Sequence, residues 1–201
     1  MRGLSFCAGA IIAWCILIGV PTVRPVTVPV APSASPTDLP ADAPSMGESV
    51  PLTLAGDVGF NVRAALDASN GALRTVTIAP GATWSFNATV GDPAYVTVRS
   101  INGIAGGGWC DLASRYVQAL RPLLPPEAIR FPNHLAVTNG IRLADVADAD
   151  AVSIWNIGGQ AGNAGGAQDL QITNTLSTPL HIRVEETADG RSLVVRAFVQ
   201  R

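Results

Sequence analysis

The fold of this chain is decided by the stretch Gly106-Gly107-Gly108-Trp109-Cys110, which directly precedes a predicted helix. Apolar residues repeat at helical spacing after it, at Leu112, Ala113, Tyr116, Val117 and Leu120. This spacing predicts a helix over Cys110–Arg121, which Pro122 ends. Cys110 is thereby placed at the positive end of a helix dipole, where a thiolate is stabilised. Two alternatives follow for Cys110, a nucleophile or a small buried core residue.

Working outward from this helix, the pattern predicts one more helix and a series of strands. The second helix is expected to be capped by Asp57 and to end near Asn70-Gly71. Turns are expected at Pro80-Gly81 and Asp189-Gly190. The expected extended segments are 74–79, 83–90, 95–101, 152–157, 170–173, 180–186 and 192–199. The fold class is therefore predicted as α+β, a strand-rich single domain with two main helices.

The first 50 residues differ in composition from the rest of the 201-residue chain. Leu4–Val20 is an uncharged apolar run of a length that suits a signal-peptide core or a short membrane anchor, and residues 1–20 are assigned to one of these. Residues 21–50 are rich in proline and small residues, which predicts an extended disordered linker. Residues 51–201 form the predicted domain. We expect the domain to lie outside the cytoplasm, secreted or anchored through residues 4–20.

Charge and cysteine content narrow the function classes. All 13 basic residues are arginines scattered along the chain, and the net charge is −2, so no nucleic-acid partner is expected. Two cysteines, Cys7 and Cys15, lie in the apolar segment. Cys110 is then the single cysteine of the domain and has no disulfide partner there. An oxidising compartment usually removes unpaired cysteines, so its presence favours a chemical role.

A thiol nucleophile needs a base and a group that orients the base. His134 follows Cys110 by 24 residues, and Asp150 precedes the predicted strand at Val152, so the candidate catalytic residues are Cys110, His134 and Asp150. His134 is expected to lead into a strand. The second histidine, His181, is expected to face solvent, because Leu180 and Ile182 point to the opposite side of its strand. No metal site or cofactor is expected, because neither C-x-x-C nor H-x-x-x-H spacing occurs.

Several motifs of the chain resemble those of VanW-like proteins. Residues 80–91, PGATWSFNATVG, resemble the family's PGE-x-FSFN…VG signature, and residues 103–110, GIAGGGWC, resemble its PGIGGGICQ segment. Residues 61–65 with 70–71 fit its opening helix, and residues 170–175 with 179–182 fit its closing hairpin. The resemblance covers most of Val58–Val199.

The resemblance implies an exported or membrane-anchored protein of the bacterial envelope, in a family named from glycopeptide-resistance gene clusters and linked to the cell wall. The family's motif cysteine falls on Cys110, its HPHS histidine on His134 and the aspartate of its GRDATVS segment on Asp150. The chain departs from the pattern at Asp111, where the family usually has Gln. A carboxylate beside a thiol disfavours the thiolate, and Arg115 is expected to offset part of this effect.

Three functions remain open, the third of which is a structural lid or partner for another membrane protein. The first is a thiol enzyme that acts on peptide or amide bonds of peptidoglycan through Cys110, with backbone N–H groups near it as an oxyanion hole. The second is a non-catalytic module that binds or accompanies the cell wall, with peptidoglycan or its peptide stems as the partner. The candidate substrate-binding residues are Gly107, Gly108, Trp84 and Trp109, and Trp155 with the 158–167 loop is expected to complete a groove.

Overall fold

The computed structural model describes residues 47–90, 100–101, 104–105, 107–137, 142–154 and 168–199. The predicted apolar segment, nearly all of the predicted linker, Trp155 and the 158–167 loop lie outside these residues. The described residues belong to one compact unit within Pro36–Arg201. This unit is the predicted α+β domain, with antiparallel sheets and two helices longer than one or two turns. None of the helices described is both long enough and apolar enough to cross a bilayer.

Four α-helices occur among the described residues: α1 (Gly56–Ala68), α2 (Phe86–Val90), α3 (Trp109–Leu120) and α4 (His134–Val137). The two long helices, α1 and α3, are the two that the sequence predicts. Helix α1 buries Val62, Ala65 and Leu66 at the helical spacing of an amphipathic face. Its N-cap is Ala55, so Asp57 lies in the first turn and does not cap the helix as predicted.

The larger sheet has five strands: β1 (Gly47–Glu48), β2 (Leu52–Thr53), β3 (Thr75–Ile78), β9 (Leu180–Glu186) and β10 (Ser192–Val199). Their order is β1-β10-β9-β3, and β2 pairs with the other end of β10. All pairings are antiparallel. The strands predicted over 74–79, 180–186 and 192–199 are therefore confirmed, as is the turn at Asp189-Gly190, where Gly190 has a φ of 65°.

The inner face of this sheet packs on α3. A Cβ at Gly47 would lie 2.0 Å from the carbonyl oxygen of Ala119 in α3, so β1 approaches the helix closely and needs a glycine there. Gly47 pairs with Ala197, which pairs with Ile182, and Ile182 pairs with Val76. This row therefore lies on the inner face. Because side chains alternate along a strand, the neighbouring row Thr77–His181–Phe198 lies on the outer face.

A smaller sheet of three strands holds β4 (Thr83–Ser85), β8 (Gln171–Thr173) and β7 (Ile129–Arg130) in the order β4-β8-β7. The prediction of one extended segment over 83–90 is wrong in its second half, because the chain turns into α2 at Phe86. The carboxylate of Asp169 explains the change. It accepts hydrogen bonds from the Ser85 hydroxyl at 2.7 Å and from the Asn87 backbone N–H at 2.9 Å, and thus caps α2.

The remaining elements are short. Strands β5 (Ser100–Ile101) and β6 (Ile104–Ala105) form a two-stranded ribbon, and 3-10 turns occur at Pro126–Ala128 and Asp148–Asp150. Of the strand predicted over 152–157, the described part contains a single bridge, Val152 to Asn133. His134 begins helix α4, so the prediction that it leads into a strand is wrong. Asn133 diverts the chain, because its side-chain oxygen accepts the Leu135 N–H at 3.1 Å.

Candidate functional site

Gly107 and Gly108, directly before α3, form a tight contact with α1. Gly108 has a φ of 103°, and a Cβ there would lie 2.7 Å from the Val58 carbonyl oxygen. The Gly107 carbonyl accepts a hydrogen bond from the Asn61 side-chain amide at 2.6 Å. The indole N–H of Trp109 donates to the Asn61 carbonyl at 2.8 Å, and Trp109 is buried. Three of the candidate substrate-binding residues, Gly107, Gly108 and Trp109, therefore join two helices in the interior.

Trp84, the fourth candidate, is half-buried in β4. Its ring stacks on Tyr116 of α3, with a centroid separation of 5.4 Å and an interplanar angle of 10°. The edge of Phe86 completes the aromatic cluster at 6.1 Å from Trp84. The Tyr116 hydroxyl donates a hydrogen bond to the Leu73 carbonyl, so the whole cluster is fixed to the core. Trp84 thus contributes mainly packing between the smaller sheet and α3.

The Cys110 thiol is buried and its hydrogen bonds go to the backbone of Ile154. The sulfur accepts the Ile154 N–H at 3.4 Å and donates to the Ile154 carbonyl at 3.8 Å. Burial raises the pKa of the thiol to about 11. The Ile154 N–H lowers the pKa by a smaller amount, and the charge of Asp111 raises it further. Desolvation thus outweighs the favourable position at the helix start, and the thiol stays protonated at neutral pH.

Cys110 is the first of three residues, two on one side of α3 and one directly after its end, that bind the segment 149–154. The Ser114 hydroxyl accepts the Val152 N–H at 2.9 Å and donates to the Cys110 carbonyl at 2.7 Å. The Arg121 guanidinium donates to the Ala149 carbonyl at 3.0 Å. Positions 110, 114 and 121 share one face of a helix because they are separated by nearly whole turns. We call these three residues the helix stripe.

The other edge of the segment pairs with residues 132–134. The Ser153 N–H donates to the Pro132 carbonyl at 2.9 Å, and the His134 N–H donates to the Ala151 carbonyl at 2.8 Å. The segment is therefore hydrogen-bonded along both edges, as a central strand would be. One edge pairs with the backbone of residues 132–134, and the other pairs with side chains of α3. Cys110 and Ser114 supply the hydrogen bonds that a second strand would otherwise provide.

The three candidate catalytic residues lie at different places along this segment. The Asp150 carboxylate accepts the Nε–H of Arg121 at 2.9 Å. Arg121 follows α3 directly and lies 11 residues, or about 16 Å of helix rise, from Cys110. The backbone of His134 contacts the segment at Ala151, on the edge opposite to Cys110 and three residues before Ile154. The described hydrogen bonds therefore join the sulfur to Ile154, and the Asp150 carboxylate to Arg121 at the other end of α3.

Electrostatics around the helix start also differ from a thiolate site. Asp111 is buried, and burial raises the pKa of its carboxyl while Arg115 lowers it. Arg115 thus favours the charged form of Asp111, and the prediction that Arg115 offsets the effect of Asp111 on the thiol stays a prediction. The buried guanidinium of Arg115 also donates to the carbonyls of Asp145 at 2.8 Å and Ala144 at 3.1 Å, so it fixes the turn at Asp145, whose φ is 56°.

His181 is the residue whose surroundings sequence reasoning missed. It lies on the outer face of the larger sheet, as the alternation predicts, but it is 8% exposed and does not face solvent. Its ring stacks on Phe198 at 5.4 Å, and Nδ1 lies 3.1 Å from the Thr77 hydroxyl. Burial lowers the pKa of His181. Phe198, which pairs with His181 in the closing hairpin, is the sequence signal for these surroundings.

Within the part of the chain that the structure describes, no group of three His, Cys, Asp or Glu side chains is placed to hold a metal ion. Comparison of the chain with models of protein families, with curated proteins and with solved structures finds no match. The likeness to VanW-like proteins therefore stays a resemblance of motifs.

Proposed function

We propose that this chain is a non-catalytic module of the bacterial cell envelope, held outside the cytoplasmic membrane and able to bind peptidoglycan or its peptide stems. The observation that carries the non-catalytic part is the double hydrogen bond between the Cys110 sulfur and the Ile154 backbone. A nucleophile must have its sulfur free to approach a carbonyl carbon. Here the sulfur completes the pairing of a buried segment, and burial keeps it protonated.

The motif that resembles the VanW-like signature supports the same conclusion when its residues are taken one by one. Gly107, Gly108 and Trp109 join α1 to α3, and the cysteine joins α3 to the segment 149–154. Gly107, Gly108, Trp109 and Cys110 therefore each have a packing or hydrogen-bonding reason to be what they are. A motif can be specific for a scaffold without marking a reaction.

The proposed location rests on the sequence. It is supported by an apolar run of signal-peptide length, followed by a proline-rich stretch of the kind that serves as a spacer. An alkaline phosphatase fusion to the C-terminus of the full chain, expressed in a bacterium, tests the export. We expect phosphatase activity that disappears when Leu4–Val20 is deleted, and activity that survives the deletion would contradict export by this segment.

Wall binding and catalysis are separated by one experiment on purified peptidoglycan sacculi. Wild-type protein and Cys110→Ser are incubated with sacculi, and both the sedimented protein and the released muropeptides are measured. We expect equal retention of the two proteins and no release above buffer. Release that requires Cys110 would support the thiol enzyme instead, and failure of the folded wild type to sediment would contradict wall binding.

A further inference from the structure

The outer face of the larger sheet holds a group of side chains that the junction at α3 does not use. Thr77, His181 and Phe198 lie side by side across β3, β9 and β10. Arg183 lies two residues further along β9 on the same face. We call these four residues the outer-face cluster. It borders solvent at Thr77, which is exposed, and at Arg183, whose side chain is 25% exposed.

His181 has one ring nitrogen that is engaged and one that is not. Its Nδ1 is paired with the Thr77 hydroxyl, which can donate to it. In that arrangement Nε2 carries the proton. Nε2 is buried and has no hydrogen-bond partner within the described residues. The ring is held flat against Phe198, with an interplanar angle of 20°, so packing fixes its orientation.

Arg183, beside the same aromatic ring, also has one nitrogen that is engaged and one that is not. Its guanidinium carbon lies 5.9 Å from the centroid of Phe198. One terminal nitrogen, Nη1, donates to Glu185 at 3.4 Å, whereas Nη2 is buried and has no partner in the described part of the chain. Glu185 also accepts a hydrogen bond from Arg196. The nearest carboxylate is therefore already shared between two arginines.

Buried donors without acceptors are rare in folded proteins, because each costs free energy unless a water, an ion or a ligand completes it. An acceptor with two oxygens can satisfy two such donors beside one aromatic ring. A carboxylate fits this requirement and matches the charge of Arg183. Glu185 lies close enough to disfavour a dianion, so a singly charged group suits the surface better.

We propose that Nε2 of His181 and Nη2 of Arg183, beside the ring of Phe198, form a binding site for a ligand carboxylate. The inference deepens the function proposed above and rests on it for the biological ligand, since peptide stems end in carboxylates. The two donors hold the carboxylate oxygens, and Phe198 contacts the carbon atoms next to them. A free organic acid offers the same group as a peptide terminus, so the test compares both.

The test uses the full chain in detergent, labelled with ¹³C at Cε1 of histidine. The chain has two histidines, so two signals are expected, and His181→Gln assigns them. Sodium acetate and the dipeptide Ala-Ala are titrated at constant ionic strength, with sodium chloride and Ala-Ala amide as controls. We expect a saturable shift of the His181 signal with both carboxylates and with neither control, while the His134 signal stays constant.

Matched variants locate the site. Arg183→Gln should weaken binding by about tenfold or more, because a charged hydrogen bond is lost. Arg74→Gln, whose exposed ion pair with Glu186 lies outside the cluster, should bind as the wild type does. Tighter binding of Ala-Ala than of acetate supports a peptide terminus, and equal binding supports a small organic acid.

The inference is overturned if neither carboxylate gives a saturable shift in folded protein, or if Arg183→Gln binds as tightly as the wild type. Its failure is distinguishable from that of the proposed function. Sacculi that retain the wild type without any carboxylate shift would refute only this site. A carboxylate shift without retention on sacculi would refute wall binding and leave the site standing.

Discussion

The helix stripe and the outer-face cluster lie on opposite sides of the larger sheet and differ in how their polar atoms are satisfied. At the stripe, Cys110 and Ser114 accept backbone N–H groups of the segment 149–154, and they donate to the Ile154 and Cys110 carbonyls. At the cluster, His181 and Arg183 each keep a buried nitrogen that no described residue satisfies. The thiol is the group that sequence patterns mark as reactive, yet the histidine and arginine are the groups left with capacity to bind.

The residue type at a position does not by itself determine whether the side chain is reactive. A cysteine at a helix start is a nucleophile only if its sulfur is accessible and its pKa is low. Both conditions depend on what the rest of the chain places against it. The same holds for His181. Alternation along β9 predicts the face of the sheet on which it lies, but its neighbours Thr77 and Phe198 come from other strands.

The largest effect on stability is expected at Gly108, directly before the helix that carries the stripe. Gly108→Ala introduces a Cβ 2.7 Å from the Val58 carbonyl at a φ of 103°, so we expect a loss of about 3 kcal/mol in the free energy of unfolding. Gly190→Ala is the control, because φ is 65° there but no atom lies within 4 Å, and about 1 kcal/mol is expected. Urea unfolding followed by tryptophan fluorescence measures both. Equal losses would show that α1 and α3 are not in close contact at Gly108.

The next effect tests the sulfur itself. Cys110→Ala leaves the Ile154 N–H and carbonyl buried without partners, so we expect a loss of about 2 kcal/mol. Cys110→Ser keeps a donor and an acceptor at a slightly shorter reach, so a loss of about 1 kcal/mol is expected. The same urea experiment applies. A Cys110→Ala protein as stable as the wild type would remove the structural role.

The raised pKa of Cys110 predicts a pH dependence that the serine variant lacks. The folded pKa is about 11 against an ordinary 9.0, so the unfolded chain loses this proton first. Stability from this group is complete below pH 9 and falls as pH rises from 9 to 11. Between pH 8 and pH 10 the wild type should lose about 1 kcal/mol more than Cys110→Ser. Burial also raises the pKa of Tyr116, but this contribution is common to both proteins and cancels in their difference.

The smallest effects compare two arginines. Arg121→Gln breaks an ion pair with Asp150 and a hydrogen bond to Ala149, and about 1 kcal/mol is expected. Arg183→Gln removes a guanidinium that is only partly satisfied, so a loss of about 0.5 kcal/mol or less is expected. Thermal and urea unfolding of both variants check the order. A greater loss for Arg183→Gln would mean that the guanidinium of Arg183 makes stronger hydrogen bonds than those described here.

Local patterns predicted the regular elements but not the contacts between them. Helical spacing located α1 and α3, and alternation located β3, β9 and β10, because both signals are written in consecutive residues. The start of α2 depends on Asp169, which is 82 residues from Asn87, and no local pattern contains that contact. The pairing of Cys110 with Ile154 spans 44 residues in the same way. The order thiol, imidazole and carboxylate along the chain therefore could not place Asp150 near the sulfur.

The accessibility of the Cys110 sulfur tests the central claim most directly. Cys7→Ser/Cys15→Ser protein leaves Cys110 as the remaining thiol, and its rate of reaction with iodoacetamide is measured at pH 7.5, folded and in urea. We predict that the folded thiol reacts about a hundredfold or more slowly than the unfolded one, because reaction requires the segment at Ile154 to open. A folded thiol that reacts as fast as the unfolded one, or faster, would contradict the account.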